Sequence, residues 1–167
     1  FFFFFSPRLR VFATDIAAPA ARVMSLRTGT TKMSKSDKSD ASRINLSDSA
    51  DAIVEKIKRA KSDSATGISY DPKARPEIAN LLNIFSAVSG REISDLCEQF
   101  GSASTATFKS ALAEAVVERL SPISSKMQQL RKEPHVVDQI LKDGAQKAKA
   151  IAHDNLNRVK EIVGLWS

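Results

Sequence analysis

The stretch from Pro76 to Gly90 constrains the fold more tightly than any other part of the chain. Proline suits a first helical position, where its missing N–H has no intrahelical acceptor and its fixed φ is already helical. Glycine suits the position just past a helix, where the backbone turns left-handed. Between them Ile78, Leu81, Leu82, Phe85 and Val88 recur at spacings of three and four, which lays one apolar stripe along a helix. The pattern predicts a helix that ends at Gly90.

The same period continues on both sides. Asp48 with Asp51 predicts a cap-like start for a helix bearing Ile53, Val54, Ile57 and Ala60. Lys56, Lys58, Arg59 and Lys61 fall in its last turns, where cations complement the helix dipole. The segment Lys61 to Gly67 breaks it. A short helix over Ile93, Leu96, Cys97 and Phe100 should end at Gly101, and Phe108, Leu112, Ala115, Val116 and Leu120 mark the next. Ser121-Pro122 either kinks that helix or caps a new one with Ile123, Met127 and Leu130. After Pro134 the apolar residues from Val137 to Val163 describe one long helix, or two joined near Gly144.

Upstream, Arg22–Leu26 reads as a short strand whose edge is left open, Arg27–Asp40 as a loop, and Arg43–Leu46 as a short extended segment. The expected class is mainly α: no strand is expected after Leu46, and the body is expected to be a helical bundle with short loops. The Phe1–Phe5 run has no counterpart in globular packing, so residues 1–19 are expected to be disordered or artefactual. With Phe1 and not Met at its start, the chain is expected to be a piece of something longer.

Charge narrows the chemistry. The net charge is +6, yet Arg22–Lys61 holds ten basic residues against five acidic, while Ser62–Ser167 is balanced at thirteen each. A local phosphate site fits this better than a broad polyanion surface. One cysteine rules out a disulfide framework and a Cys-based zinc site, and two lone histidines give no metal motif. Cys97 reads as a small hydrophobe, His135 and His153 as surface residues, and Trp166 as a packing anchor. No run reaches the ~18 apolar residues of a membrane span.

Lys32-Met-Ser-Lys-Ser36 is the sharpest feature. Two ammonium groups, at Lys32 and Lys35, interleaved with the hydroxyls of Ser34 and Ser36, can bracket a polyphosphate and stabilise charge on a departing pyrophosphate. Gly29 and its hydroxyl-rich flank would let the loop open and close. Taken alone, such a run could also be a plain solvated loop.

Lys-Met-Ser-Lys-Ser is the second signature of class I aminoacyl-tRNA synthetases, and the chain resembles the tryptophanyl-tRNA synthetase family, its bacterial and organellar branch above all. Arg22-Val-Met-Ser-Leu26, Asp37, Ser42-Arg-Ile-Asn-Leu46, Ile53-Val-Glu-Lys-Ile-Lys58 and Asp63-Ser64 carry the resemblance. So do Tyr70-Asp71, Arg75-Pro76, Asn80-Leu-Leu-Asn-Ile84, Ser89-Gly90, Phe108-Lys109 and Leu120-Ser-Pro-Ile123, with Gly144-Ala145, Ala148 and Gly164. It runs over roughly residues 20 to 167; Phe1–Ala18 do not share it.

The resemblance implies that residues 20–47 end a Rossmann-like catalytic domain and that 48–167 form a helical anticodon-binding region. Lys32 and Lys35 would be catalytic, and Val23, Lys32, Met33, Ser34, Lys35 and Ser36 would bind ATP, the backbone at Val23 and Met33 lying against the adenine. No residue is expected to ligate a metal, because Mg²⁺ would be held mainly by the phosphates. The partners implied are tRNA(Trp), ATP and tryptophan, in a homodimeric enzyme of the mitochondrial matrix or plastid, or of a bacterial cytoplasm. Contacts to tRNA would use a few placed residues such as those of Lys126–Lys132. Lys38 stands where many relatives have Pro, which predicts a freer exit from the loop. The His-rich first signature and the tryptophan pocket would precede residue 20. The alternatives are the sister tyrosine enzyme and a non-catalytic helical RNA-binding module with a relic loop.

Overall fold

A computed structural model describes residues 22–165. The Phe run, the rest of residues 1–19, and Trp166 lie outside them. The elements in chain order are β1 (Met24–Ser25), β2 (Thr28–Lys32), α1 (Ala50–Lys58), α2 (Pro76–Ser89), α3 (Ile93–Phe100), α4 (Thr105–Lys132) and α5 (Pro134–Ile162), with a 3₁₀ turn at Asp40–Ser42. The mainly helical class expected from the sequence is what is observed. The described residues divide into two compact units, with the boundary between Ser121 and Pro122.

In the first unit, α2 is buried almost all round, from Ile78 to Ser86. Its boundaries are the ones the sequence predicts: Pro76 sits in the first turn and Gly90 is left-handed at φ 70°. Ile53 and Ile57 of α1, Leu96 and Phe100 of α3, and Phe108, Leu112 and Val116 of α4 complete a core with Leu26 and Ile68. Phe85, Phe100 and Phe108 form its aromatic centre, with ring centroids 5.5–5.9 Å apart. Tilted and edge-on pairs of this kind add to what area burial supplies. Cys97 packs half-buried against this core, as a small hydrophobe should.

Several local expectations change. Thr28–Lys32 is a strand, not loop: it pairs antiparallel with β1 as Met24↔Lys32 and Ser25↔Thr28. Its Thr-Gly-Thr-Thr sequence shows no alternation, so only the partner strand makes it extended. Arg43–Leu46 forms no ladder. The cap of α1 is Ser49, whose side chain accepts from the Ala52 amide, and Asp48 is instead an ion-pair partner of Lys56. Of the two readings of Ser121-Pro122, the capping of a new helix fails: Pro122 lies inside α4.

In the second unit, α5 continues unbroken through Gly144 and has no buried residue. Its apolar residues Ile140, Leu141, Ile151 and Leu156 are exposed. The expected bundle core is therefore absent from α5 among the described residues. His135 and His153 are both exposed, as predicted, with His153 Nε2 3.1 Å from Asn157 Nδ2.

Candidate functional site

The candidate loop leaves the end of β2. The Met33 N–H donates to the Val23 carbonyl at 3.0 Å, so the two residues expected against one nucleobase are neighbours on adjoining segments. Beyond Met33 the chain turns: the Asp37 N–H donates to the Ser34 carbonyl at 3.4 Å, and the Ser34 and Ser36 hydroxyls lie 3.1 Å apart. Lys32, Ser34, Lys35 and Ser36 are exposed and Met33 is half-buried. All six residues singled out from the sequence thus gather at one end of the hairpin.

Their charge is uncompensated. Among the described residues no carboxylate pairs with Lys32 or Lys35, although Arg43, Lys56, Lys61 and Arg75 all have acidic partners close by. Two such ammonium groups, three positions apart in the chain, can attract an anion.

The loop's far side is tied down, contrary to the expectation raised by Lys38. The Asp37 carboxylate accepts from the Ser39 N–H at 2.8 Å, and that bond holds the Asp37 carboxyl below the usual carboxylate range. Arg43 Nη1 donates to the carbonyls of Asp37 at 3.0 Å and Ser39 at 3.4 Å, on both sides of Lys38. Arg43 also pairs with Asp40 at 3.0 Å. Lys56 Nζ lies 2.6 Å from both Asp40 and Asp48. Burial alone would push the Asp48 carboxyl up; the bonds from Lys56 and Asn45 outweigh it and hold the group down.

The near side rests on α2. Gly29 is buried in β2, and a Cβ there would stand 2.4 Å from the Pro76 carbonyl carbon. Gly29 is needed for close approach, not for loop flexibility as the sequence suggested. Asn80, 3% exposed, accepts from the Met24 N–H and donates to the Met24 carbonyl, both at 2.9 Å. The outer edge of β1 is therefore not open. Leu26 is fixed as well: its N–H donates to Ser42 at 2.9 Å, and its carbonyl accepts from Lys61 at 2.7 Å.

Two further supports escaped the sequence reading. Lys109 of α4, 9% exposed, donates to the carbonyls of Lys58 at 3.4 Å and Ala60 at 2.7 Å and to Ser62 Oγ at 3.1 Å. It caps the end of α1, and burial pushes its ammonium down. Arg75 grips Asp63 with two bonds of 2.8 and 2.9 Å and also donates to Gly67. Arg75-Pro76, Asp63-Ser64 and Phe108-Lys109 all lie in segments that carry the family resemblance, but nothing in the sequence points to their partners.

No group of three or more His, Cys, Asp or Glu among the described residues could hold a metal ion. Asp37 and Asp40 are already engaged, by the Ser39 amide and by Lys56 with Arg43. No helix among the described residues is long and apolar enough to cross a membrane.

Comparison with known proteins gives this geometry a family. The family model described as tRNA synthetases class I (W and Y) matches residues 10–121, starting earlier than the resemblance at residue 20. A mitochondrial tryptophan–tRNA ligase of Dictyostelium discoideum is 47% identical over 145 residues, which are 87% of this chain and 38% of that enzyme. The structure of tryptophanyl-tRNA synthetase from Mycoplasma pneumoniae superposes with a TM-score of 0.74 at 32% identity, over 90% of this chain and 47% of that one. The Campylobacter jejuni tryptophanyl-tRNA synthetase, complexed with ADP and tryptophan, does so with a TM-score of 0.61 at 26% identity, over 87% and 44%. The chain thus spans under half the length of each. With its lysine-serine loop seated on a helical body and the family match covering two thirds of its residues, the chain belongs to the class I tRNA synthetases of the tryptophan and tyrosine type.

Proposed function

We propose that this chain is the C-terminal part of a tryptophan–tRNA ligase. It supplies the ATP loop at the end of a Rossmann-like catalytic domain (residues 20–47) and a helical tRNA-anticodon region (48–167). The observation that carries this reading is the pair of exposed, uncompensated ammonium groups of Lys32 and Lys35 on a loop anchored at both ends. The tryptophan–tRNA ligases and synthetases among its relatives, one holding ADP and tryptophan, support the choice of substrates.

In the reaction proposed, the tryptophan carboxylate attacks the α-phosphorus of ATP in line, and pyrophosphate departs. Lys32 and Lys35 neutralise the β- and γ-phosphates as negative charge grows on the leaving group. Ser34 and Ser36 exchange their mutual hydrogen bond for donation to phosphate oxygens. The backbone at Val23 and Met33 borders the adenine. Magnesium, when bound, would add charge neutralisation on the phosphates; Asp37 and Asp40 are engaged within the protein, and the described residues offer it no ligand cluster. The acyl group then passes to tRNA(Trp), whose anticodon meets the helices, residues such as those of Lys126–Lys132 included. The whole enzyme acts as a homodimer, in the mitochondrial matrix or plastid of a eukaryote or the cytoplasm of a bacterium.

The test is Lys35→Ala in the full-length enzyme. Removing one such electrostatic donor commonly costs about 2.7–4 kcal/mol of activation free energy. Tryptophan-dependent pyrophosphate exchange should fall accordingly, with tryptophan binding little changed. An exchange rate within a few-fold of the parent overturns the phosphate role and favours a non-catalytic RNA-binding module.

A further inference from the structure

The Asn80 carboxamide meets Met24 as a neighbouring strand would. Its Oδ1 takes the Met24 N–H and its Nδ2 gives to the Met24 carbonyl, each at 2.9 Å, across 56 positions of sequence. Both main-chain groups of Met24 therefore point away from β2. One residue earlier the Val23 carbonyl points toward it and accepts from Met33. That alternation belongs to an antiparallel ladder in which Met24 and Lys32 form the close, non-hydrogen-bonded pair, with Cα atoms about 4.5 Å apart in such pairs. Asn80 thus holds the residue directly across from Lys32.

The anchorage is stiff. Asn80 lies in a helix whose residues Ile78, Leu81, Leu82 and Phe85 are all core, and its own side chain is excluded from solvent. β1 is only two residues long, too short to fix its own position by laddering. An apolar side chain at position 80 would leave a half-buried donor and acceptor of Met24 unmet, so β1 would move to find water or another partner. Lys32, across the narrow pair, would move with it, and a displacement of ~1 Å is enough to spoil a positioned group.

We infer that Asn80 is a positioning residue for the ATP loop: its side chain replaces a third strand beside β1 and thereby sets where the Lys32 ammonium stands. This rests on the reading of Lys32 as a phosphate contact. It assigns to the helical body a direct part in presenting that ammonium, through one amide and not through the loop itself.

The test uses the full-length enzyme and Asn80→Asp, which keeps size and acceptor but turns the donor facing the Met24 carbonyl into a second acceptor. Pyrophosphate exchange is followed against ATP concentration, tryptophan affinity is measured by equilibrium dialysis, and both are repeated in a Lys32→Ala background. Expected is a fall in kcat/KM for ATP of about tenfold or more, with tryptophan affinity unchanged. In the Lys32→Ala background the same change should add less than about threefold, because the two residues act as one unit. Should Asn80→Asp not fold, Asn80→Ser, smaller and uncharged, is read in the same way. Parental exchange in the Asn80 variant, or a full penalty that persists without Lys32, overturns the inference. If Lys32→Ala itself leaves exchange at the parental rate, the phosphate reading falls and this inference with it. A slow Lys32→Ala enzyme beside a fast Asn80→Asp enzyme sinks only the positioning role.

Discussion

Gly29→Ala is the smallest change that tests how the loop is seated. The added Cβ would lie 2.4 Å from the Pro76 carbonyl carbon, 2.5 Å from the Glu77 amide nitrogen and 2.6 Å from the Pro76 carbonyl oxygen. Ordinary contact begins near 3.4 Å. The strand and the first turn of α2 must therefore separate by roughly 1 Å, or the backbone must twist to the same effect. Overpacking of this kind costs about 1–3 kcal/mol, and the upper half applies because all three obstacles are main-chain atoms that cannot rotate aside. Urea unfolding of this chain, followed by circular dichroism, should show a loss of about 2–3 kcal/mol for Gly29→Ala. Thr30→Ala, at an exposed position on the same strand, should stay within about 0.5 kcal/mol. In the full-length enzyme, a hairpin displaced by ~1 Å should slow pyrophosphate exchange on the order of a hundredfold. A Gly29→Ala chain as stable as its parent would refute the close-approach argument. Lost stability with parental exchange would show instead that the loop finds its place independently of this seat.

Three further outcomes follow from the same contacts. Lys109→Met leaves the carbonyls of Lys58 and Ala60 without their buried donor. It should destabilise the chain by about 1–3 kcal/mol in thermal unfolding, and an unchanged midpoint would mean that escape from burying the ammonium offsets the lost bonds. Arg75 holds the Asp63 carboxyl, and Lys56 with Asn45 the Asp48 carboxyl, below the ordinary value of 3.8. Because the unfolded state then binds more protons, their stabilisation is complete above that value and is lost as pH falls through the lower folded values. Urea midpoints should decline on acidification below it, with a shallower decline for Asp48→Asn; a midpoint that rises on acidification contradicts the sign. Residues 20–167 expressed alone should give a helical circular dichroism spectrum but no tryptophan-dependent pyrophosphate exchange, since two lysines cannot align a nucleotide that nothing else holds. Robust exchange by that fragment would mean that the rest of the site has been misplaced.

Whatever depends on residues within about one helical turn of each other is legible in the chain alone. Proline fixes its own φ and glycine tolerates the left-handed one, so Pro76 and Gly90 bound α2 without help from the rest of the chain. A stripe at spacings of three and four is a property of one helix, which is why α2 and α3 were legible. The lysine-serine loop could be read as a phosphate binder because its chemistry is contiguous in the chain. Tertiary structure decided the rest. β2 is extended because β1 lies beside it, not because Thr-Gly-Thr-Thr prefers to be. Asn80 is an ordinary polar residue in a helix until Met24, 56 positions away, presents it with an unpaired donor and acceptor. Lys109 becomes a cap only where α4 passes the end of α1, and Gly29 becomes indispensable only where α2 begins against it. Each of these side chains satisfies a backbone group or fills a gap created by a distant element. A main-chain N–H or C=O is the same at every position, and nothing local announces which of them the fold will leave without a partner.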